Sequence, residues 1–374
     1  MRIAILGAGP AGLYLAYLIK RRRPAADVRV IEQNAPNATF GFGVVFSDRA
    51  LEFLRDDDPD TYAAITPQME SWDDIALVHR NERVAIDGVG FAAIGRLKLL
   101  QLLQARVRSV GVALEFDRAV KSLGELEADL IVGADGVNSL VRHTLAEEFG
   151  AHVTWGINRF AWFGTAKTFD TLTQTFRHTP VGDFNAHHYR YAPGRSTFIV
   201  ETDEASFARA GFERMEEGDA RALCEKIFGD ALGGARLISN NSVWRRFPLV
   251  RNARWHHGKH VLIGDAAHTA HFSIGSGTRL AMEDAIALDR ALADNDDDIA
   301  KALPAYEAAR RPVVEKIVTG AMASAAWYEN FAEHMALPPL ELAMSYVMRS
   351  GRIDVERLRK HSPQFVQRYE KERG

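Results

Sequence analysis

The chain has 374 residues, 47% apolar and 25% charged, enough for two domains with separate cores. A formal charge of −3 excludes the basic footprint of a nucleic-acid binder and a general attraction to anionic membranes. The single cysteine, Cys224, excludes an internal disulfide framework and fits a reducing compartment, and no Cys-x-x-Cys or His-Glu-x-x-His spacing offers a zinc site.

In chain order, "RIAIL" (2–6) reads as a buried strand, 11–22 as a helix and "DVRVIE" (27–32) as a second strand, the length of a βαβ opening. Arg21, Arg22 and Arg23 after an apolar stretch imitate a membrane anchor. Gly7, Gly9, Pro10 and Gly12 interrupt it, and the run beyond them falls short of the roughly 20 residues a span needs. A cytoplasmic protein is therefore expected, and the sequons at Asn37 and Asn240 carry no meaning there. Residues 37–47, "NATFGFGVVFS", read as a glycine-containing loop and 48–56 as a charged helix. The spacing of Leu97, Leu100 and Leu103 predicts a helix over 95–110, followed by strands at 112–116 and 128–136. From 152 to 202 aromatics alternate with polar residues, the texture of an antiparallel sheet. A helix is expected near 217–230, a buried strand opening 259–268, and long helices over 279–294 and 303–333, with "DNDDD" (294–298) a solvated loop.

Three stretches carry chemistry. The first is Gly7-Ala8-Gly9-Pro10-Ala11-Gly12 between a strand and a helix, with Glu32 twenty residues beyond. The glycines permit a tight turn and a close approach to a pyrophosphate, the helix start supplies N–H groups, and Glu32 can accept from ribose hydroxyls. The second is "DLIVGADGVNSLVR" (129–142), where Asp135 sits between Gly133 and Gly136; alone, it reads as a strand end with a capped helix. The third is "GDAAHTAHFSIGSGTRLAMEDA" (264–285). Asp265 in its turn can bond a ribityl hydroxyl, and Gly275, Ser276 and Gly277 open a helix whose N–H groups can face a ring carbonyl that becomes negative on reduction.

Together and in this order, the three stretches resemble the single-component FAD-dependent aromatic hydroxylases, the para-hydroxybenzoate-hydroxylase-like monooxygenases. Arg96 in "GRLKLLQLL" matches that family's FAD-contacting arginine. The family reads Pro-Pro where this chain has His271 and Phe272, and Gln and Asn at Ser276 and Arg279. Those departures, with "FGFGVVFS" and "RWHHGKHVLIGDAAH", are similar to the branch acting on salicylyl-CoA and 2-aminobenzoyl-CoA. The tryptophan-derived hydroxylase of violacein synthesis looks like a more distant neighbour.

The resemblance implies an α/β fold. A Rossmann-like, three-layer FAD-binding domain (1–75, 95–151 and 252–300) is interrupted by a substrate domain with an antiparallel sheet (76–94 and 152–251), and C-terminal helices follow (301–374). It implies FAD, with NADH or NADPH as co-substrate, and molecular oxygen, acting on an aromatic substrate presented as a CoA thioester. The expected reaction is 5-hydroxylation of salicylyl-CoA to gentisyl-CoA. The alternatives are 2-aminobenzoyl-CoA, a free aromatic acid, an indole, or, in another class, a non-catalytic binding module of flavoprotein fold.

Among the histidines, His271 falls where the family places residues near the reactive flavin edge, where its near-neutral pKa suits proton handling. His187 shares a strand face with Tyr189 and Tyr191, either core or the roof of a substrate pocket. These are the catalytic candidates, with Tyr189 at the substrate. His256 and His257 read as a polar turn, and His268 as structural or beside the flavin. Arg245, Arg246 and Arg251 are candidates for the CoA phosphates, although Arg245 and Arg246 read equally as solvating a strand end.

Overall fold

The computed structural model describes residues 1–47 and 51–373. Its first layer is a six-stranded sheet built from both ends of the sequence. Arg2–Leu6 lies centrally, pairing parallel with Asp27–Ile31 on one side and Leu130–Gly133 on the other. Ala113–Glu115 extends the first side. His260–Leu262 extends the second and is edged by the short antiparallel strand His256–His257. Leu130–Gly133 is buried throughout, as parallel strands covered on both faces must be. Helices Pro10–Arg22, Arg96–Ser109 and Gly277–Asp294 pack over this sheet in one large apolar core. Arg96–Ser109 buries the expected Leu100 and Leu103 together with Leu99 and Val107, and leaves Leu97 half-buried.

A seven-stranded sheet forms the second layer. Arg159–Thr165, Leu172–Thr179, Gly182–Ala192 and Arg195–Thr202 make its antiparallel centre, and Ile75–His79 and Glu82–Ile86 complete one side. Strand alternation sends Phe184, Ala186, Phe198 and Val200 toward a cluster with Phe207, Cys224 and Phe228. The opposite face carries Leu172, Phe176 and Tyr189, which pack against Tyr328, Phe331 and the C-terminal helices.

Several expectations change. Residues 43–47 are a strand, Gly43–Ser47, because they pair antiparallel with Phe91–Gly95, a partner invisible to local sequence. The charged helix runs Glu52–Asp57, and residues 48–50 of that expectation lie outside the described residues. His256 is half-buried, 2.8 Å from Glu307, in a hairpin rather than a polar turn; His257 is exposed. The long C-terminal helix spans Ile299–Glu329 and contains Pro304 and Pro312. No helix among the described residues is long and apolar enough to cross a membrane.

Candidate active site

Helices Pro10–Arg22 and Gly277–Asp294 begin at the same cleft. Neither has a side-chain cap or an acidic residue in its first turn, so both leave N–H groups and a positive dipole end for a ligand. The glycines around them divide by cause. Gly7 has φ +100°, and a Cβ there would lie 2.3 Å from the Ala134 carbonyl oxygen; one at Gly12 would lie 2.1 Å from that of Gly7. Both are required by the protein's own packing. Gly9 and Gly277 are different: added Cβ atoms would meet nothing within 4 Å, and both line the cleft, as does Gly136, which has the same room but also a φ of +72°. They form a cradle that side chains would fill.

The cleft encloses about 1410 Å³ of empty space, part of it open to solvent. Pro10, Ala11, Asp265, Gly275 and Ser276 line its near end. Arg96 also lines it, and its guanidinium makes no hydrogen bond among the described residues. Burial pushes the Arg96 pKa down, with Asp265 opposing. Asp265 projects into the open cleft, yet the protein around it raises its pKa, with Arg96 pulling the other way. The fit to a dinucleotide is therefore physical: two uncapped helix ends and a guanidinium with no hydrogen-bond partner among the described residues face a glycine cradle.

Glu32 is not on the cleft wall. It accepts from the Ala8 N–H at 2.9 Å and from the Asn34 N–H at 2.9 Å, fixing the first turn. Asp135 accepts from the Leu140 N–H at 2.6 Å, while its buried Oδ1 has no partner. Arg142, fully buried, donates to the carbonyls of Val137 and Ala266 and so ties the second stretch to the third. Behind the Asp265 turn, Asp284 accepts from the Gly264 N–H at 2.9 Å, His268 at 2.8 Å and Arg310 at 2.6 Å. His268 is thus a brace behind the turn. Arg279 pairs with Glu283 at 2.7 Å.

At the far end the seven-stranded sheet supplies the wall. Trp162, Phe247, Phe272 and Ile199 make it apolar, and Gln174, His187 and Tyr189 give it polar points. His187 donates from Nε2 to Glu201 at 3.1 Å, accepts from the Gln174 amide at Nδ1 at 3.1 Å, and stacks on Tyr328 with centroids 4.8 Å apart. Burial raises the Glu201 carboxyl, but the His187 hydrogen bond and charge outweigh it, leaving Glu201 below the usual carboxylate range. Tyr189 donates to the Gly43 carbonyl at 3.0 Å.

His271 is not brought to the cleft lining. It lies behind Phe272, caps the short turn Phe272–Ile274 by accepting the Ser273 N–H, and is pushed down to about 4, chiefly by burial. Arg245 and Arg246 also lie off the lining. Arg246 is held by Glu204; Arg245 is exposed beside Phe40, and its guanidinium donates to the Asn241 carbonyl. Sequence reasoning missed Gln174, Glu201 and Arg349. Alternation along "LTQTF" signals that Gln174 shares a face with Leu172, but no local pattern marks the other two.

A fold that joins a dinucleotide cradle to an aromatic-walled chamber defines a flavoprotein oxidoreductase. A family model described as "FAD binding domain" matches residues 113–321. The chain is 43% identical to the salicyloyl-CoA 5-hydroxylase of a Streptomyces species, over 94% of this chain and 70% of that protein. It is 38% identical to the 3-hydroxy-4-methyl-anthranilyl-[aryl-carrier protein] 5-monooxygenase of Streptosporangium sibiricum, over 94% and 95%. It is 36% identical to the protodeoxyviolaceinate monooxygenase of Chromobacterium violaceum, over 93% and 94%. The structure of 2-methyl-3-hydroxypyridine-5-carboxylic acid oxygenase matches with a TM-score of 0.71 at 20% identity, covering 94% of this chain and 96% of that one. The chain belongs to the FAD-dependent monooxygenases that hydroxylate aromatic compounds, and its cofactor is FAD.

Proposed function

We propose that the chain uses NADH or NADPH and molecular oxygen to hydroxylate the 5-position of salicylyl-CoA, giving gentisyl-CoA in the cytoplasm. The observation that carries this reading is the single cleft running from two uncapped helix ends to an apolar aromatic wall. Two relatives, one named for a salicyloyl-CoA and one for a carrier-bound anthranilyl group, support a ring presented on a carrier rather than as a free acid.

On this reading the turn at residues 7–12, with Pro10 and Ala11, takes the pyrophosphate, and Glu32 holds that turn closed from behind. Arg96 and the N–H groups beside Asp135 balance the phosphate charge, Asp265 meets the ribityl chain, and Gly275, Ser276 and Gly277 lie against the ring system. Bound FAD would supply the redox chemistry that couples oxidation of the nicotinamide to insertion of one oxygen atom of molecular oxygen into the ring. The protein's part is to orient the aromatic ring and exclude water. Phe272, Trp162 and Phe247 exclude water, and Tyr189 holds the strand at Gly43 against the sheet. His187, with its Nε2 proton on Glu201, is placed to handle protons at the wall; His271, neutral and behind Phe272, is scaffold. Exposed Arg245 and Arg251 are left as the cations for CoA phosphates, since Arg246 is engaged.

The test measures substrate-stimulated oxidation of NADH and NADPH with salicylyl-CoA, 2-aminobenzoyl-CoA and free salicylate at several salt concentrations. Turnover should favour salicylyl-CoA, and its apparent affinity should fall with salt much more than that of the free acid. Equal turnover of thioester and free acid without a salt effect would reject the thioester assignment.

A further inference from the structure

The C-terminal helices contribute a cation to the cleft. Arg349 follows helix Pro339–Met348 and lines the cavity with Ser273, Phe272 and His187. Its Nε donates to Ser324 Oγ at 2.9 Å, Nη1 to the Tyr346 carbonyl at 2.7 Å, and Nη2 to the Ser273 carbonyl at 2.8 Å. All three acceptors are neutral, and no carboxylate pairs with the guanidinium among the described residues. A guanidinium carries five N–H donors, so one on each terminal nitrogen remains. The plane is clamped 3.9 Å over the Tyr346 ring and 5.7 Å from Tyr328, the residue on which His187 stacks. A half-buried cation so fixed, with spare donors and no anion, is built for an electron-rich oxygen supplied from the cleft.

We propose that Arg349 binds the aromatic substrate directly, donating its two free N–H groups to an oxygen on the ring-bearing half, the acyl carbonyl or the ring hydroxyl. This rests on the reading of the cleft as an aromatic hydroxylase site. Arg349 then sets how the ring enters: the oxygen-bearing edge turns toward the C-terminal helices and Ser273. The competing role is a brace that holds Ser273 to Ser324 and touches no substrate.

The experiment uses FAD-loaded wild type, R349K and R349M, titrated with salicylyl-CoA, benzoyl-CoA and free salicylate, following the flavin absorbance change on binding. FAD content and thermal unfolding are measured on the same samples. R349M should retain FAD and weaken salicylyl-CoA binding about 10- to 100-fold, the usual effect of losing hydrogen bonds to a charged group. R349K should lose part of this affinity, and added guanidinium ion should restore some of it to R349M. An equal loss for benzoyl-CoA assigns the carbonyl as partner; a loss confined to the hydroxylated ligands assigns the ring hydroxyl. Unchanged ligand affinity in R349M, with FAD loss or lowered thermal stability, would leave Arg349 as a brace only and overturn the proposal. Free salicylate carries the same class of oxygen. A wild type that binds only the free acid would therefore overturn the thioester reading and still allow the Arg349 test.

Discussion

Gly7, Gly9 and Gly12 share one motif for different reasons, and this makes them separable by mutation. Gly9→Trp puts a ring into open cleft and meets no protein at its Cβ, so the variant should fold near wild-type stability yet purify colourless. Gly12→Ala drives a methyl group onto the Gly7 carbonyl and should cost about 1–3 kcal/mol by overpacking. Visible flavin absorbance and urea midpoints distinguish the two; a yellow, stable Gly9→Trp would show that the cradle is not where the dinucleotide lies. The glycines were legible because a tight strand-to-helix turn writes them into contiguous sequence. Arg349 was not, because its meaning depends on Ser273 and Ser324, which only the tertiary fold brings to it. The place of His271 behind the lining has a related cause. Its position in the motif puts it near the cleft, but Phe272 takes the exposed side of the turn.

Adjacent strands assemble the polar wall. Gln174 pairs directly with His187 across one ladder, and His187 pairs with Ile199 across the next, which sets Glu201 one pleat further on the same face. Asn158 Nδ2 donates to the other Glu201 oxygen at 2.9 Å, so the carboxylate is held from two sides and is 1% exposed. His187→Phe should therefore destabilise the protein by about 3–5 kcal/mol, because it strands a buried charge. The double variant His187→Phe with Glu201→Leu should recover much of that loss. Urea unfolding of the four proteins completes the cycle, and additive effects would dismiss the coupling. The sheet itself was readable from its alternation, whereas Gly43–Ser47 was not, since glycine-rich text resembles a loop until Phe91–Gly95 lies beside it.

The whole molecule carries an acid liability in its buried imidazoles. Burial pushes His188 down to about 3 and His271 to about 4, so both stay neutral in the fold. In the unfolded chain they take up protons near their ordinary value of 6.5. From there down to about 4 the unfolded state binds more protons, and stability falls by up to about 1.4 kcal/mol per pH unit for each histidine. His271→Asn should flatten the slope of urea stability between pH 7 and 5, roughly the range in which free histidine titrates; an unchanged slope would mean that His271 protonates in place. At this scale the change of texture near 152 and the return of a buried strand near 260 had already announced an interrupted parallel sheet. That interruption also sets a timetable. Val132 pairs with Val261, so on the ribosome the apolar edge of Leu130–Gly133 waits about 130 residues for its neighbour, roughly 6–25 s of translation. The hairpins of the aromatic wall emerge in that interval, while the Asp265 turn and helix Gly277–Asp294 do not yet exist. The nascent chain thus builds the sheet wall of the cleft before the Asp265 turn that faces it, and carries an unpaired strand edge for chaperones to shield until residue 262 arrives.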